Sequence, residues 1–150
     1  MNLRIAFVFV LTFLLTGCAG DRWVELEGHR YQVEVAATEP ARMRGLMFRD
    51  SMPADHGMLF VHQNEAPVAY WMKNTRIALD IFYFNRNFKL VSMRADVPPC
   101  SAGDQCPAYP STGPALYVLE LNAGQARKIG AKQGAVLRVG AGIALKAGSD

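Results

Sequence analysis

The chain has 150 residues and a formal net charge of +3, with 51% of its residues hydrophobic. That length suits one domain and is enough to bury a substantial share of its surface. Lys and Arg are scattered, with no block of like charge, which argues against nucleic acid as a partner.

The N-terminus reads as a targeting segment. Arg4 is followed by the apolar run Ile5 to Leu15, shorter than the ~20 residues a membrane-spanning helix needs. The run closes in Leu15-Thr16-Gly17-Cys18. This resembles a bacterial lipoprotein signal, in which a peptidase cuts before the Cys and the thiol carries a diacylglycerol. Ordinary secretion or a short N-terminal anchor, with Cys18 incidental, is the alternative. The expected organisation is a signal peptide over 1–17, a lipidated tether over 18–22 and a single β domain over 23–150. Multiple acyl chains at Cys18 would make the attachment to the membrane stable. Ala19, where an Asp would favour inner-membrane retention, points to the periplasmic face of the outer membrane. No second long apolar run follows, so the domain is globular and tethered.

Trp23–Leu26 and Tyr31–Val35 alternate apolar and polar residues around Gly28, the pattern of a hairpin. Thr38 can cap a short helix with Pro40 in its first turn. Met43, Leu46 and Met47 recur there at helical core spacing, with Gly45 inside the helix. Met58–Val61 reads as a short buried strand and Val68–Met72 as another. After the polar corner Lys73-Asn74-Thr75 comes Leu79–Phe84, apolar on both faces and the candidate central strand. Asn85-Arg86-Asn87 turns the chain into a strand from Phe88 to Met93. Residues 97–114, rich in proline, form a long loop. Ala115–Leu121 is a strongly apolar strand, Asn122 can cap a short helix to Ile129, and Ala135–Val139 is the last strand. With seven or eight strands, two short helices and no βαβ rhythm, the class is mainly β, a sandwich or partly closed barrel.

Cys100 and Cys106 lie in the proline-rich loop. Outside the cytoplasm so close a pair oxidises, and closing the loop stabilises by roughly 2 kcal/mol on the chain-entropy model. The spacing is not that of a CxxC redox motif, and no His is near enough in sequence to suggest zinc.

Several blocks then recur together: Arg44-Gly45-Leu46-Met47, Gly57-Met58-Leu59-Phe60, Trp71-Met72-Lys73-Asn74-Thr75, Leu79-Asp80-Ile81 and Val118-Leu119-Glu120-Leu121-Asn122-Ala123-Gly124. In this order and spacing they resemble uncharacterised protein family 0127, also called domain of unknown function 192, over about residues 31–139. The resemblance implies a small, mainly β domain, often secreted or lipid-anchored in bacteria. It supplies no established activity.

The corner is the first candidate site. Trp71 can wall a pocket with Lys73, Asn74 and Thr75 offering donors and acceptors at its lip. The plainer reading is a core tryptophan followed by a turn whose Asn and Thr bond their own backbone. Asp80, buried among apolar neighbours, needs a partner, and Arg44, Arg49 or amides of the corner are the candidates. Glu120, framed by leucines, poses the same question. Arg44, Asp80 and Glu120 are therefore expected to support the site.

Three functions follow. The first is a non-enzymatic envelope module binding a small polar ligand, a glycan or an envelope protein through Trp71, Lys73, Asn74 and Thr75. The second is an envelope polysaccharide hydrolase, which requires Asp80 and Glu120 within roughly 10 Å in an open cleft. The third is copper handling by thioethers and imidazoles, for which Met52, His56 and His62 are the accessible ligands while Met43, Met47 and Met58 read as core. The chain carries no Gly-x-Ser-x-Gly or HExxH motif, and no catalytic residue, cofactor or resident metal is assigned.

Overall fold

The computed structural model describes residues 21–146; the signal segment and Cys18 lie outside them. Strands β1 (Trp23–Leu26) and β2 (His29–Ala36) form the expected hairpin. Its two-residue turn puts Glu27 at φ 49° and Gly28 at φ 74°, the left-handed pair that matches the twist of the flanking strands.

Helix α1 (Glu39–Arg44) follows, with the Thr38 hydroxyl accepting from the Ala41 amide. It is shorter than the sequence suggested, because Gly45 ends it rather than lying within it. Gly45 adopts φ 46°, ψ −133°, a conformation that side chains strongly disfavour. The chain turns there, so Leu46 enters the core at 2% exposure while Met43, expected in the core, stands 56% exposed.

Strand β3 (His56–Ala66) runs well beyond the expected Met58–Val61 and lies parallel to β2. β2, α1 and β3 thus make one βα-type crossover, which the sequence pattern does not announce. Next come β4 (Ala69–Trp71), β5 (Leu79–Phe84), β6 (Leu90–Val97), β7 (Ala108–Pro110), β8 (Ala115–Asn122), α2 (Gln125–Ile129) and β9 (Arg138–Val139).

The main sheet has the order β6-β5-β8-β3-β2-β1-β9 and curls into a half-barrel; β4 and β7 form a separate two-stranded sheet. The mainly β class holds. β5, however, is second from an edge, and the middle strand is β3. All six β5 residues are buried because both sheet faces are covered, not because the strand is central. Val24, Tyr31, Leu59, Phe82 and Leu119 face one core, closed by Ala126 and Ile129 of α2. Phe60, Met72, Ile81, Tyr83 and Val118 face a second core, shared with Leu46.

The segment 97–114 is not structureless. It supplies β7, a 3-10 turn at Gly103–Gln105 and the Cys100–Cys106 disulfide. Asn122 does not cap α2, whose N-cap is Gly124. Its side-chain amide instead donates to the carbonyls of Met52 and Pro53, fastening the loop before β3.

Candidate functional site

The corner is held from three sides. Thr75 is 5% exposed; its amide donates to the Met72 carbonyl and its hydroxyl to the Lys73 carbonyl. The Cys100 amide donates to the Thr75 carbonyl at 3.1 Å, and the Phe48 amide to the Asn74 carbonyl at 2.8 Å. Asn74 and Phe48 both sit at positive φ, 54° and 64°. Part of the plainer reading is therefore present, since Thr75 closes the turn on its own backbone. Its core tryptophan is not: Met72 is the buried residue, at 1%, while Trp71 is 37% exposed. Lys73 lies 4.9 Å from the Trp71 ring centroid and pairs with Asp104 inside the disulfide loop.

Beside the corner is Glu120. Its neighbours in register are Met58 of β3 and Ile81 of β5, so its side chain faces the second core. It is 4% exposed, makes no side-chain hydrogen bond, and burial pushes its carboxyl up to about 8. Among the described residues no fully enclosed side-chain polar atom lacks a partner. The unpartnered Glu120 oxygens therefore meet open space. That space is a narrow cavity of about 30 Å³ between the α1–Gly45 turn and the corner, with room for a water or two. Arg42 and Arg44 border it on one side, Trp71, Lys73 and Thr75 on the other.

The narrow cavity shares Arg42, Met43, Tyr70 and Trp71 with a groove of about 440 Å³, so the two form one cleft with a deep arm. A third hollow of about 370 Å³, lined by Phe48, Asn74, Arg76 and Cys100, lies across Thr75.

Tyr70 connects the parts. Its hydroxyl lies 2.9 Å from Nε2 of His62, and its ring meets Phe60 edge-on with centroids 4.9 Å apart. Burial, then the nearby Glu120, raises the Tyr70 hydroxyl well above its ordinary value. The same two causes raise the hydroxyl of Tyr83, which donates to the Tyr109 carbonyl, so it stays neutral. Burial and then Arg42 lower His62. The Arg42 guanidinium donates to the carbonyls of Ala37 and Val61, bracing α1 against β3.

Of the residues singled out in the sequence, the fold brings Trp71, Lys73, Thr75, Arg44 and Glu120 to one cleft, while Asn74 opens on the hollow beside it. Asp80 does not support this site. It shares the face of Leu121 and the first core. Its partners are neither Arg44, Arg49 nor corner amides: it accepts from the amides of Asp96 at 2.7 Å and Ala126 at 2.6 Å. Arg49 is bound to Glu34 instead. With Asp80 and Glu120 on opposite faces, the hydrolase built on that pair is excluded.

The copper set separates too. His56 and His62 are six residues apart on β3, roughly 20 Å at ~3.3 Å per residue. His56 pairs with Asp55, and Met52 packs against the second core. No group of three or more His, Cys, Asp or Glu suited to a metal occurs among the described residues. Sequence reading missed Tyr70, Arg42 and the exposed Met43. Only the pairing of β4 with β7 and the stop at Gly45 bring them to the cleft, and neither leaves a periodic signal.

A small half-barrel β domain with one buried, unpartnered acid opening into a side cleft is the class this geometry defines. The chain belongs to the DUF192 family, described as "Uncharacterized ACR", whose profile matches residues 22–139. Solved structures that share the fold include two with clear sequence similarity. One, a protein of unknown function from Novosphingobium aromaticivorans, is 31% identical with a TM-score of 0.72, covering 77% of this chain and 83% of its own. The other, from Sinorhizobium meliloti and described as a "putative transcription regulator", is 36% identical with a TM-score of 0.73, covering 81% of this chain and 95% of its own. No curated protein matches.

Proposed function

We propose that the protein is a lipid-anchored envelope module that binds a small polar ligand in the Glu120 cleft. The observation that carries this reading is the Glu120 carboxyl, buried, without a protein partner and open to the cleft. Burying a polar group without a hydrogen bond is costly, and a fold bears that cost where the group has a use. Ligand sites combine apolar walls with a few converging polar groups, and here Trp71 and Met43 are the walls. The Leu15-Thr16-Gly17-Cys18 box supports the anchor and the envelope location.

A role on DNA, which the description of the Sinorhizobium relative would suggest, is countered by the pairing of exposed arginines with acids among the described residues. Arg30, Arg49, Arg76, Arg86, Arg127 and Arg138 are scattered, and each pairs with an acid.

The ligand reading is tested on the detergent-solubilised protein by following amide shifts against panels of sugars, amino acids, amines and inorganic anions. Shifts confined to Tyr70, Trp71, Lys73 and Glu120 are expected for at least one class; a silent cleft against all panels contradicts the reading. The anchor is tested by labelling cells with radioactive palmitate: Cys18→Ser should lose the label and leave the membrane fraction, and retained label would rule the anchor out.

A further inference from the structure

Three charged groups border the narrow arm of the cleft: Arg42, Arg44 and Lys73. Arg42 is committed to two backbone carbonyls and Lys73 to Asp104, while Arg44 is exposed in the last turn of α1. The one acid in that arm is Glu120. With Lys73 paired to Asp104 and Glu120 protonated, Arg42 and Arg44 leave the arm net positive beside a groove whose own acid is Glu39, so the arm attracts an anion and repels an amine.

The walls narrow the choice. Met43 at 56% and Trp71 at 37% exposure give the groove an apolar, partly aromatic side. A bare inorganic anion leaves both uncovered. A purely apolar ligand leaves Glu120 without a partner. A pyranose ring has an apolar C–H face for the indole and hydroxyls for the polar groups. The groove of about 440 Å³ lies within the usual range for such ligands.

We propose that the cleft takes a saccharide carrying a carboxylate, with its ring against Trp71, its carboxylate toward Arg44, and Glu120 donating a hydrogen bond to it. This rests on the ligand-cleft reading above and gives that cleft its ligand class.

Binding is then linked to a proton. The groups that line the cavity with Glu120 or lie near it are Arg42 and Arg44 from α1, Lys73 and Thr75 from the corner, Tyr70 from β4 and Tyr83 from β5; β3 contributes the uncharged Met58 and Phe60. His62 lies beyond Tyr70, lowered by burial and Arg42. Both tyrosine hydroxyls are raised above their ordinary value and hold their protons. Loss of the Glu120 proton removes the donor and sets a negative charge against the ligand carboxylate.

The test is isothermal titration of the detergent-solubilised full chain with trigalacturonic acid, maltotriose and sulfate at pH 7 and pH 9. Trigalacturonic acid should bind, about tenfold more weakly at pH 9 than at pH 7, as expected when only the protonated form of a group titrating near 8 binds. Glu120→Gln, whose amide donates at both pH values, should flatten that dependence whatever its affinity at pH 7. Trp71→Ala should weaken binding at least tenfold. Equal affinity for maltotriose, or equal affinity for trigalacturonic acid at both pH values, overturns the proposal. Cleft shifts with an amine or sulfate but with neither saccharide also overturn it, while leaving the ligand cleft itself standing.

Discussion

Asp80 and Glu120 lie one register step apart on the adjacent strands β5 and β8, where Asp80 pairs with Leu121 and Ile81 with Glu120. Side chains alternate across a sheet, so the two carboxyls point to opposite faces. One is tied by two backbone amides and the other by none. Two acids that look alike in sequence thus serve a structural bond and an open cleft.

Glu120 makes stability fall as pH rises. An unfolded glutamate ionises near about 4.3, while the folded carboxyl holds its proton to about 8. Between these values the folded state binds the proton that the unfolded state has released, so stability declines by ~1.4 kcal/mol per pH unit from this group. The decline ends once pH passes the folded value. Urea unfolding of Glu120→Gln at pH 5 and pH 8 should show the variant gaining a few kcal/mol on the wild type at the higher pH. An unchanged difference would show that Glu120 is ionised in the fold.

Asp80 has a structural part. It holds the amide of Asp96, a residue at φ 52° in the bulge of β6, and the amide of Ala126 in α2. Hydrogen bonds to a charged group contribute about 1.5–3 kcal/mol each. Asp80→Asn should lose roughly 2–4 kcal/mol in urea unfolding without changing ligand binding at the corner. A loss under ~0.5 kcal/mol, as at an ordinary surface site, would contradict this role.

The disulfide links the loop to the corner through Cys100, which bridges to both Lys73 and Thr75. Replacing Cys100 and Cys106 by serine should lower stability by about 2 kcal/mol. It should also speed amide exchange at Thr75 and neighbouring residues, because their partner strand is released. Unchanged exchange there would mean that the corner holds itself.

Gly57 packs against the strand that carries Glu120. A Cβ at Gly57 would stand 2.6 Å from a Leu121 methyl and 2.7 Å from the Glu120 carbonyl oxygen. Backbone cannot yield as a side-chain end does, so Gly57→Ala should cost about 1–3 kcal/mol. Thermal unfolding measures this, and a neutral result would place β8 farther from β3.

The strands were legible where alternation or continuous apolarity set the period, as in the first hairpin, Leu79–Phe84 and Ala115–Leu121. The centre of the sheet was not, because burial on both faces looks the same in a second strand as in a middle one. Gly45 misled in the same way: the apolar spacing of Met43, Leu46 and Met47 suits a helix, and only the backbone turn at Gly45 separates exposed Met43 from buried Leu46. In the site, Trp71, Lys73, Thr75 and Glu120 were readable as residues out of keeping with their surroundings. Which acid joined them depended on strand register, which the sequence does not state. Tyr70 and Arg42 reached the cleft through long-range pairings that no local pattern announces.

At the centre of the proposed function stands Glu120 as a buried, protonated acid open to a ligand. Carbon-13 NMR of the Glu120 side-chain carboxyl, titrated from pH 4 to pH 10 with and without saturating trigalacturonic acid, tests it directly. A midpoint near 8 in the free protein, moving upward when the ligand is bound, is the expected result. A midpoint in the ordinary range of about 4 to 5, or one that the ligand leaves in place, would contradict it.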